Sequence, residues 1–224
     1  MKQTVLLAAV LLATTTTLFT ACSDAPKGDQ ATVSAKKEAA ASTTGQSFAV
    51  DTTASAIRFI GNGVGKNHPG TFRLSNGNLS VAADSVTGGQ FTINMATMQV
   101  EQPEEMFQTK LKGHLMGADF FDVSKWGTAK FELTDVKPFT AAGGDSSVVA
   151  GANHTVSGNF TLKGETKNIS FPAKINVADN QVTALANFDI DRTQWGIRYG
   201  NDKSLGDKFI SETVNIQLNL KAAK

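Results

Sequence analysis

The strongest constraint on the fold is a period-two alternation of apolar and polar residues that begins near Ser47 and continues to the last strand. In that final row, Val214, Ile216, Leu218 and Leu220 alternate with polar residues. Comparable rows lie at 91–95, 156–162, 169–177 and 182–190. A strand with one apolar face and one polar face is typical of an antiparallel sheet that packs on one side only.

Turn-forming residues separate the alternating rows and set the expected strand number. They lie at 75–78, 87–89, 142–145, 163–164 and 178–180. The rows then predict about eight strands, at 48–51, 55–64, 71–81, 88–97, 128–138, 154–163, 167–177 and 181–191, with 207–221 as a candidate ninth. Many strands joined by short turns favour a barrel or a sandwich, and closure into a barrel would remove exposed edges. Alternation alone does not decide between the two.

One segment departs from the strand pattern. Pro103 is followed by two acidic residues, which suits the first turn of a helix. Phe107, Leu111, His114 and Leu115 then recur at helical spacing. The segment predicts a single short amphipathic helix of about three turns.

The N-terminus predicts export and lipid anchoring. A lysine at position 2 and an apolar run from Val5 to Ala13 form a secretory signal pattern over 1–21, too short to span a bilayer. Cys22 stands at the expected cleavage site, and the segment resembles a bacterial lipobox, which implies lipidation of Cys22. The alternative is a coincidental cysteine near an ordinary cleavage site. Residues 22–46, rich in Ala, Ser and Thr, predict a flexible linker.

Charge and cysteine content exclude several functional classes. The net charge is +1, from 21 basic and 20 acidic side chains, so no basic surface for nucleic acid is indicated. A single cysteine rules out an internal disulfide and every cysteine-pair metal or redox motif. The glycine-rich segment 61–66 fails as a phosphate loop, because its spacing is one residue short and Asn67 replaces the required Ser or Thr.

The histidines and carboxylates provide no recognisable catalytic or metal motif. His68, His114 and His154 lie in separate segments. We therefore predict no catalytic residue, no metal site and no cofactor. The lowest-ranked hypothesis is a hydrolase or metal enzyme that uses His114 with Asp119 or Asp122.

Two segments combine aromatic and charged residues in an unusual way. One is 113–126, in which Phe120 and Phe121 are bracketed by aspartates, and the other is 191–200, which holds two arginines, a tryptophan and a tyrosine. These segments could lie at the mouth of an apolar cavity, where an arginine holds a polar head group. The alternative is a structural Asp191–Arg192 pair with Trp195 filling the core.

An ordered set of motifs over 47–224 resembles the YceI-like domain family. The residues that carry the resemblance are Val50-Asp51, His68 with Gly70-Thr71-Phe72, Gly89 to Met95, Gly113-His114-Leu115, Asp119 to Val123, Ala129-Lys130-Phe131, Val156 to Lys167, Phe171-Pro172, Asp191-Arg192 and Trp195-Gly196-Ile197. The resemblance implies an all-β fold: an antiparallel, eight-stranded, lipocalin-like barrel with one short helix.

The resemblance also implies a ligand and the residues that bind it. The resemblance implies a protein that carries a long polyisoprenoid, such as a quinone tail or an isoprenyl phosphate, and that is not a catalyst. Apolar contacts would come from the inward faces, and His68, His114, Arg192 and Arg198 would contact a head group at the rim. The ligand-binding residues expected on this basis are Phe59, His68, Phe72, Phe91, Ile93, Met95, Phe107, Leu111, His114, Phe120, Phe131, Phe160, Phe171, Phe188, Arg192, Trp195 and Arg198.

These observations lead to two functional hypotheses. The first is a lipoprotein of the bacterial cell envelope, facing the periplasm or the cell surface, that binds an isoprenoid lipid for carriage or sequestration. The second is a surface lipoprotein with a fully packed barrel that binds partners through its loops. The sequence does not decide between a monomer and a homodimer.

Overall fold

The computed structural model describes residues 26–40, 45–140 and 146–224. The strands, in chain order, are β1 (Asp29–Gln30), β2 (Thr32–Ala35), β3 (Gln46–Val50), β4 (Ala56–Gly63), β5 (Lys66–Ala82), β6 (Ser85–Val100), β7 (Thr128–Pro138), β8 (His154–Leu162), β9 (Glu165–Ala178), β10 (Gln181–Asp191) and β11 (Ile210–Ala223). Helix α1 (Glu105–Met116) lies between β6 and β7, and short 3₁₀ turns occupy Arg192–Trp195 and Lys203–Lys208. The predicted signal segment 1–21 and Cys22 lie outside the described residues.

The strands close into an antiparallel barrel. From β5 to β11 each strand pairs with the next, and β4 pairs with both β11 and β5. Strand β3 also pairs with β11 and β5, beyond the end of β4, so β3 and β4 together fill one position in the wall. The wall therefore has eight positions, which confirms the predicted barrel and excludes a sandwich. The single predicted helix is confirmed as α1.

Two-residue turns connect three of the hairpins. Residues 83–84, 163–164 and 179–180 all have positive φ, which is typical of the tight turns that match strand twist. The expected turns at 75–78 and 87–89 are wrong, because both segments continue as strand within β5 and β6. Their small and polar residues accompany register shifts in the β5–β6 ladder instead. Glycine within a strand often marks such an irregularity.

Phenylalanine rings inside the barrel pack onto inward-facing glycines of neighbouring strands. A Cβ added at Gly158 would overlap the ring of Phe131, and one added at Gly70 would overlap the ring of Phe59. The absence of a side chain at these positions therefore lets large rings lie flat across the wall. Beyond them, near the β5–β6 and β9–β10 turns, the interior is filled by aliphatic residues such as Leu79, Val81 and Val182.

The expectation of a flexible linker over 22–46 is wrong for residues 26–40, which we call the N-terminal strap. Strands β9 and β10 pair directly only between 173–178 and 181–186. Further along, β1 runs parallel to β10 and β2 pairs with β9, so the strap fills the gap between the two wall strands. Its attachment depends on backbone hydrogen bonds, which composition does not reveal.

The strap continues across the outer face of the barrel, where buried amides hold it. Asn159 Oδ1 accepts from the Lys37 backbone N–H at 3.0 Å, and Asn159 Nδ2 donates to the Lys37 carbonyl at 2.7 Å. Asn168 Nδ2 donates to the same Asn159 Oδ1 at 3.2 Å. Asn159 is only 2 % exposed, so its side of each of these bonds is shielded from water. No helix in the part of the chain that the structure describes is long and apolar enough to cross a membrane.

Replacement of Asn159 tests whether the strap is part of the folded barrel. Asn159→Ala leaves the Lys37 backbone groups without their partner and removes one of the two hydrogen bonds of Asn168 Nδ2, which keeps its bond to Thr134. We therefore expect a loss of about 1–3 kcal/mol in the free energy of unfolding. Amide hydrogen exchange in 29–37 should become faster than in the wild type. Gln30→Ala is the control, since that exposed side chain makes only long hydrogen bonds to backbone carbonyls of the strap and β10. Exchange in 29–37 as fast as in an unstructured peptide already in the wild type would contradict this assignment.

Candidate ligand-binding site

An apolar cavity of about 220 Å³ lies inside one end of the barrel. This end carries the β4–β5 turn, α1 and the 3₁₀ turn at Arg192–Trp195. Most of its lining is aromatic or aliphatic, and polar side chains come from Asn62, His68, His114, Arg192 and Ser211. The opposite end is filled by aliphatic side chains, so the space is a pocket and does not run through the barrel.

The structure brings most of the predicted ligand-binding residues together around this cavity. The predicted residues that line it are Phe59, His68, Phe72, Phe91, Ile93, Met95, Leu111, His114, Phe120, Phe131, Phe160, Phe171, Phe188 and Arg192. They come from seven strands, α1, the segment after α1 and the 3₁₀ turn, and only barrel closure makes them neighbours. Their role in binding stays a prediction.

Three predicted residues do not line the cavity. Trp195 is 0 % exposed, packs against the ring of Phe160 and donates from Nε1 to the Phe160 carbonyl at 3.1 Å, so it belongs to the packed core and not to the cavity lining. Phe107 lies on the exposed side of α1, is 39 % exposed, and contacts the ring of His68. Arg198 is exposed in the loop after the 3₁₀ turn. Helical spacing predicts that Phe107 shares a face with Leu111, His114 and Leu115. Helix α1 lies across the end of the barrel, and of these four residues only Leu111, His114 and Leu115 line the cavity.

Four phenylalanines form a continuous aromatic floor. The ring centroids of Phe91 and Phe131 are 5.3 Å apart, and those of Phe131 and Phe171 are 6.0 Å apart. Phe171 and Phe188 stack at 3.9 Å with an interplanar angle of 8°. These rings come from β6, β7, β9 and β10, so they span half the barrel. Flat aromatic surfaces bury large areas against an apolar ligand at little cost in side-chain entropy.

A second aromatic cluster lies where α1 meets the 191–200 loop. The His114 ring packs edge-on against Phe120 at 5.0 Å and against Tyr199 at 4.8 Å. His114 Nε2 lies 3.3 Å from Asp119 Oδ2, and both side chains are largely exposed. Asp122 is engaged elsewhere, since its Oδ1 accepts from Ser124 Oγ. Among the described residues, no three His, Cys, Asp or Glu side chains are placed to hold a metal ion.

Backbone carbonyls take four of the five N–H donors of Arg192, so most of its hydrogen bonding is structural, and the expectation that it contacts a head group stays a prediction. Its Nε donates to the Ser211 carbonyl, its Nη1 to the Ile197 carbonyl, and its Nη2 to the carbonyls of Tyr199 and Ile210, all at 2.8–2.9 Å. Burial lowers the pKa of the guanidinium, and the carboxylates of Glu212 and Asp191 act in the opposite direction. Arg192 thus ties the 197–211 loop to the barrel.

Two cavity-lining residues carry buried polar atoms without a partner. They are Asn62 Oδ1 and His68 Nδ1, on the two strands of the β4–β5 hairpin. Burial, and secondarily the charge of Lys66, lowers the pKa of His68 below its usual value, which favours the neutral imidazole at pH 7. A buried polar group left without a hydrogen bond costs about 1–3 kcal/mol.

The sequence-based list missed other lining residues. They are Ile57, Gly61, Asn62, Gly63, Leu115, Phe121, Ala129, Leu162, Ile169, Ile190, Ile197, Ile210, Ser211, Val214, Ile216 and Leu218. Period-two alternation already placed many of them on the apolar faces of their strands. Alternation does not show how far along the barrel axis a residue lies. That position decides whether an inward-facing side chain lines the cavity or packs in the filled end.

The comparisons with known proteins agree with this architecture. The family model for the YceI-like domain matches residues 48–222, most of the chain. This chain belongs to the YceI-like domain family. The expected resemblance over 47–224 is therefore confirmed.

Individual relatives of this YceI-like chain are distant. A UPF0312 protein of Ectopseudomonas mendocina is 30% identical over 47% of this chain and 48% of the relative. A UPF0312 protein of Pseudomonas aeruginosa is 44% identical over 28% of this chain and 27% of the relative. The match thus spans about half the length of the first curated relative and about a quarter of the second.

Two solved structures share the fold. BcnA of Burkholderia cenocepacia superposes with a TM-score of 0.59 at 18% identity, covering 78% of this chain and 99% of BcnA. A polyisoprenoid binding domain from Saccharophagus degradans has a TM-score of 0.57 at 18% identity, covering 79% of this chain and 97% of that domain. At this identity the likeness concerns the barrel fold alone.

Substitution of Arg192 should separate a structural role from a ligand-binding one. Arg192→Met leaves several carbonyls of the 197–211 loop without a hydrogen-bond donor. Each unpaired carbonyl costs about 1–3 kcal/mol, so we expect a clear drop in the free energy of unfolding measured in urea. Arg198→Met is the matched control and should change it by less than about 0.5 kcal/mol. Equal stability of the two variants would contradict the structural role of Arg192.

Proposed function

We propose that this YceI-like protein binds a long apolar isoprenoid lipid in the cavity at the open end of its barrel, without catalysis. The observation that carries the proposal is an apolar cavity with a continuous phenylalanine floor in an otherwise closed barrel. The fold that this chain shares with the polyisoprenoid binding domain from Saccharophagus degradans supports the same ligand class. Both a quinone tail and an isoprenyl phosphate belong to that class.

The physical basis of such binding is apolar burial. A prenyl chain has almost no polar atoms, so affinity would come from about 25 cal/mol for each Å² of apolar surface removed from water. The floor and walls offer aromatic and aliphatic contacts from every side of the cavity. The rival hypothesis of a loop-binding protein assumed a fully packed barrel, and the cavity argues against that assumption.

We further propose that the protein is an envelope lipoprotein, anchored through Cys22, which carries or sequesters its lipid close to a membrane. If Cys22 is lipidated, the strap limits how far the barrel can lie from the membrane. Gly28 already binds Asp189 on β10 through its backbone N–H. Six residues from Cys22 reach at most about 20 Å. That distance would keep the barrel wall beside the membrane that supplies the lipid.

The cavity proposal predicts opposite behaviour for two alanine substitutions. Ala129 and Ala173 are both 2 % exposed, but only Ala129 lines the cavity. Ala129→Leu should fill part of the cavity and weaken the binding of a long-chain isoprenoid quinone about tenfold, for a modest loss of buried contact area. Ala173→Leu should lower stability by about 1–3 kcal/mol through overpacking, with affinity changed less than twofold.

Extraction of the purified protein with organic solvent, followed by mass spectrometry, provides the direct measurement. We expect an isoprenoid lipid in the extract from the wild type and a reduced amount from the Ala129→Leu variant. Repeated absence of any lipid, together with no uptake of added long-chain quinone by the wild type, would contradict the proposal.

The anchor is tested by Cys22→Ser in a bacterial host grown with labelled palmitate. We expect the wild type to carry the label and to sediment with membranes, and the variant to lose both properties. Ser23→Ala, which keeps the cysteine, is the control and should behave as the wild type. Label and membrane association that persist in Cys22→Ser would refute lipidation at this residue.

A further inference from the structure

We propose that the open end of the barrel docks onto a lipid bilayer through a ring of exposed apolar side chains around the cavity mouth. The inference rests on the proposed isoprenoid-binding function and adds the surface through which the protein meets the membrane. Among the described residues, five of the seven exposed large hydrophobic side chains lie in segments at this end. We call these five the apolar rim: Val64, Met106, Phe107, Tyr199 and Leu205.

Ring contacts hold the segments of the apolar rim together. The Phe107 ring on α1 lies 5.9 Å from the ring of His68, on the β4–β5 hairpin whose turn carries Val64. The Tyr199 ring lies 4.8 Å from the ring of His114, which is also on α1. Helix α1 therefore links the hairpin to the loop that carries Tyr199, and the three segments are neighbours.

The apolar rim is continuous with the lining of the cavity. Gly63 lines the cavity, and Val64 follows it at the hairpin turn. Leu111 also lines the cavity, and Phe107 lies one helical turn before it. On the loop side, Ile210 lines the cavity and pairs with Gly63 in the β4–β11 ladder. The rim therefore surrounds the mouth of the cavity.

Two of the rim residues occupy loop tips, where polar residues are usual. Val64 stands in the β4–β5 turn, and Leu205 stands in the 3₁₀ turn at Lys203–Lys208. Their side chains are exposed, and neither belongs to the hydrophobic core. An apolar side chain at a loop tip can enter the interface of a bilayer without any change in the barrel.

A bilayer fits this surface better than a protein partner, because of the ligand that the proposed function assigns to the cavity. An isoprenoid is dissolved in the membrane, and its transfer through water would expose its whole apolar surface. A rim inserted into the bilayer lets the chain pass directly into the cavity that the rim surrounds. A protein seated on the same ring would cover the mouth of the cavity.

The charged residues around the apolar rim suit an anionic bilayer. Lys110 shares a helix face with Met106 and Phe107, because it follows them by four and three residues. Long basic side chains keep their charged ends among the head groups while their stems contact acyl chains. Basic residues outnumber acidic ones in the three rim segments. Over 62–67, 104–116 and 198–209 the basic residues are Lys66, Lys110, Lys112, Arg198, Lys203 and Lys208, and the acidic residues are Glu104, Glu105, Asp202 and Asp207.

The anchor proposed at Cys22 is long enough for the apolar rim to reach the same membrane. The Gly28 backbone N–H binds Asp189, and the β10–β11 and β4–β11 ladders place Asp189 in the same row as Ile60. Val64 lies four residues beyond Ile60, about 13 Å along a strand. The six residues from Cys22 to Gly28 reach at most about 20 Å, so the anchor and the rim can insert together.

Photo-cross-linking in a bacterial host tests which surface meets the membrane. The photo-reactive amino acid benzoyl-phenylalanine takes the place of Val64 or Leu205 in the full chain, and living cells are exposed to ultraviolet light. Mass spectrometry then identifies the molecules attached to the protein. Val148 and Leu185 are the matched control positions, because both are exposed apolar residues outside the rim. We expect phospholipid adducts at Val64 and Leu205 at least about fivefold above those at the controls, since only the rim would enter the bilayer.

A charge at one rim residue should weaken docking at another. Val64→Asp brings a charge into the bilayer interface, so we expect phospholipid adducts at position 205 to fall about fivefold. Leu185→Asp is the matched control, because it adds the same charge to an exposed residue of the wall, and it should leave those adducts unchanged. Both substituted side chains are exposed, so the unfolding midpoint in urea should stay close to that of the wild type.

Several outcomes would overturn the inference. Protein adducts in place of phospholipid adducts at Val64 and Leu205 would indicate a partner protein, and adducts between two copies of this chain would indicate a dimer. Phospholipid adducts at Val148 or Leu185 as frequent as those at the rim, or none at all four positions, would contradict docking through the rim. An unchanged yield at position 205 in the Val64→Asp variant would do the same.

The same cells separate this inference from the proposed function. Phospholipid adducts at the rim, with no isoprenoid in the organic extract of the protein, would leave docking in place and remove the proposed ligand. An isoprenoid in the extract, without adducts at the rim, would leave the ligand in place and remove docking.

Discussion

The hydrogen-bonded closure of the barrel between β9 and β10 is the constraint on which the rest of the structure depends. Direct pairing covers only one half of that seam, and the N-terminal strap completes the other half. A closed wall satisfies the backbone groups of every strand without a helix layer on either face. It also turns the apolar faces of all the strands toward one interior, and the cavity exists because that interior is filled at one end only.

Buried polar groups of the barrel divide into those that hold the backbone in place and those that have no hydrogen-bond partner. Arg192 and Asn159 hold the 197–211 loop and the strap through buried hydrogen bonds to main-chain atoms. Asn62 and His68 sit beside glycines with unmet hydrogen-bonding capacity. An arginine at the mouth of a cavity is therefore not enough to indicate anion binding, since its donors must be free before they can serve a ligand.

Sequence-based prediction succeeded where side-chain pattern controls the outcome. Alternation located the strands of the wall, and helical spacing located α1 within two residues of its observed start. It failed for the strap, whose Thr-Val-Ser-Ala strand is held by a backbone ladder. It also failed at 75–78 and 87–89, where glycine marks strand irregularities and not turns. Backbone pairing partners are distant in sequence, so no local pattern reports them.

The sequence by itself determined an antiparallel all-β chain with one helix and an interior rich in phenylalanine, because alternation and composition specify which faces avoid water. Tertiary structure alone decided that Phe91, Phe131, Phe171 and Phe188 form one floor and that Trp195 packs in the core against Phe160. It also decided that four of the five N–H donors of Arg192 bind backbone carbonyls. The physical reason is that depth along the barrel axis and the partners of each polar atom follow from strand register across the closed wall. Register joins residues more than a hundred positions apart, as in the pairing of Asp29 with Phe188.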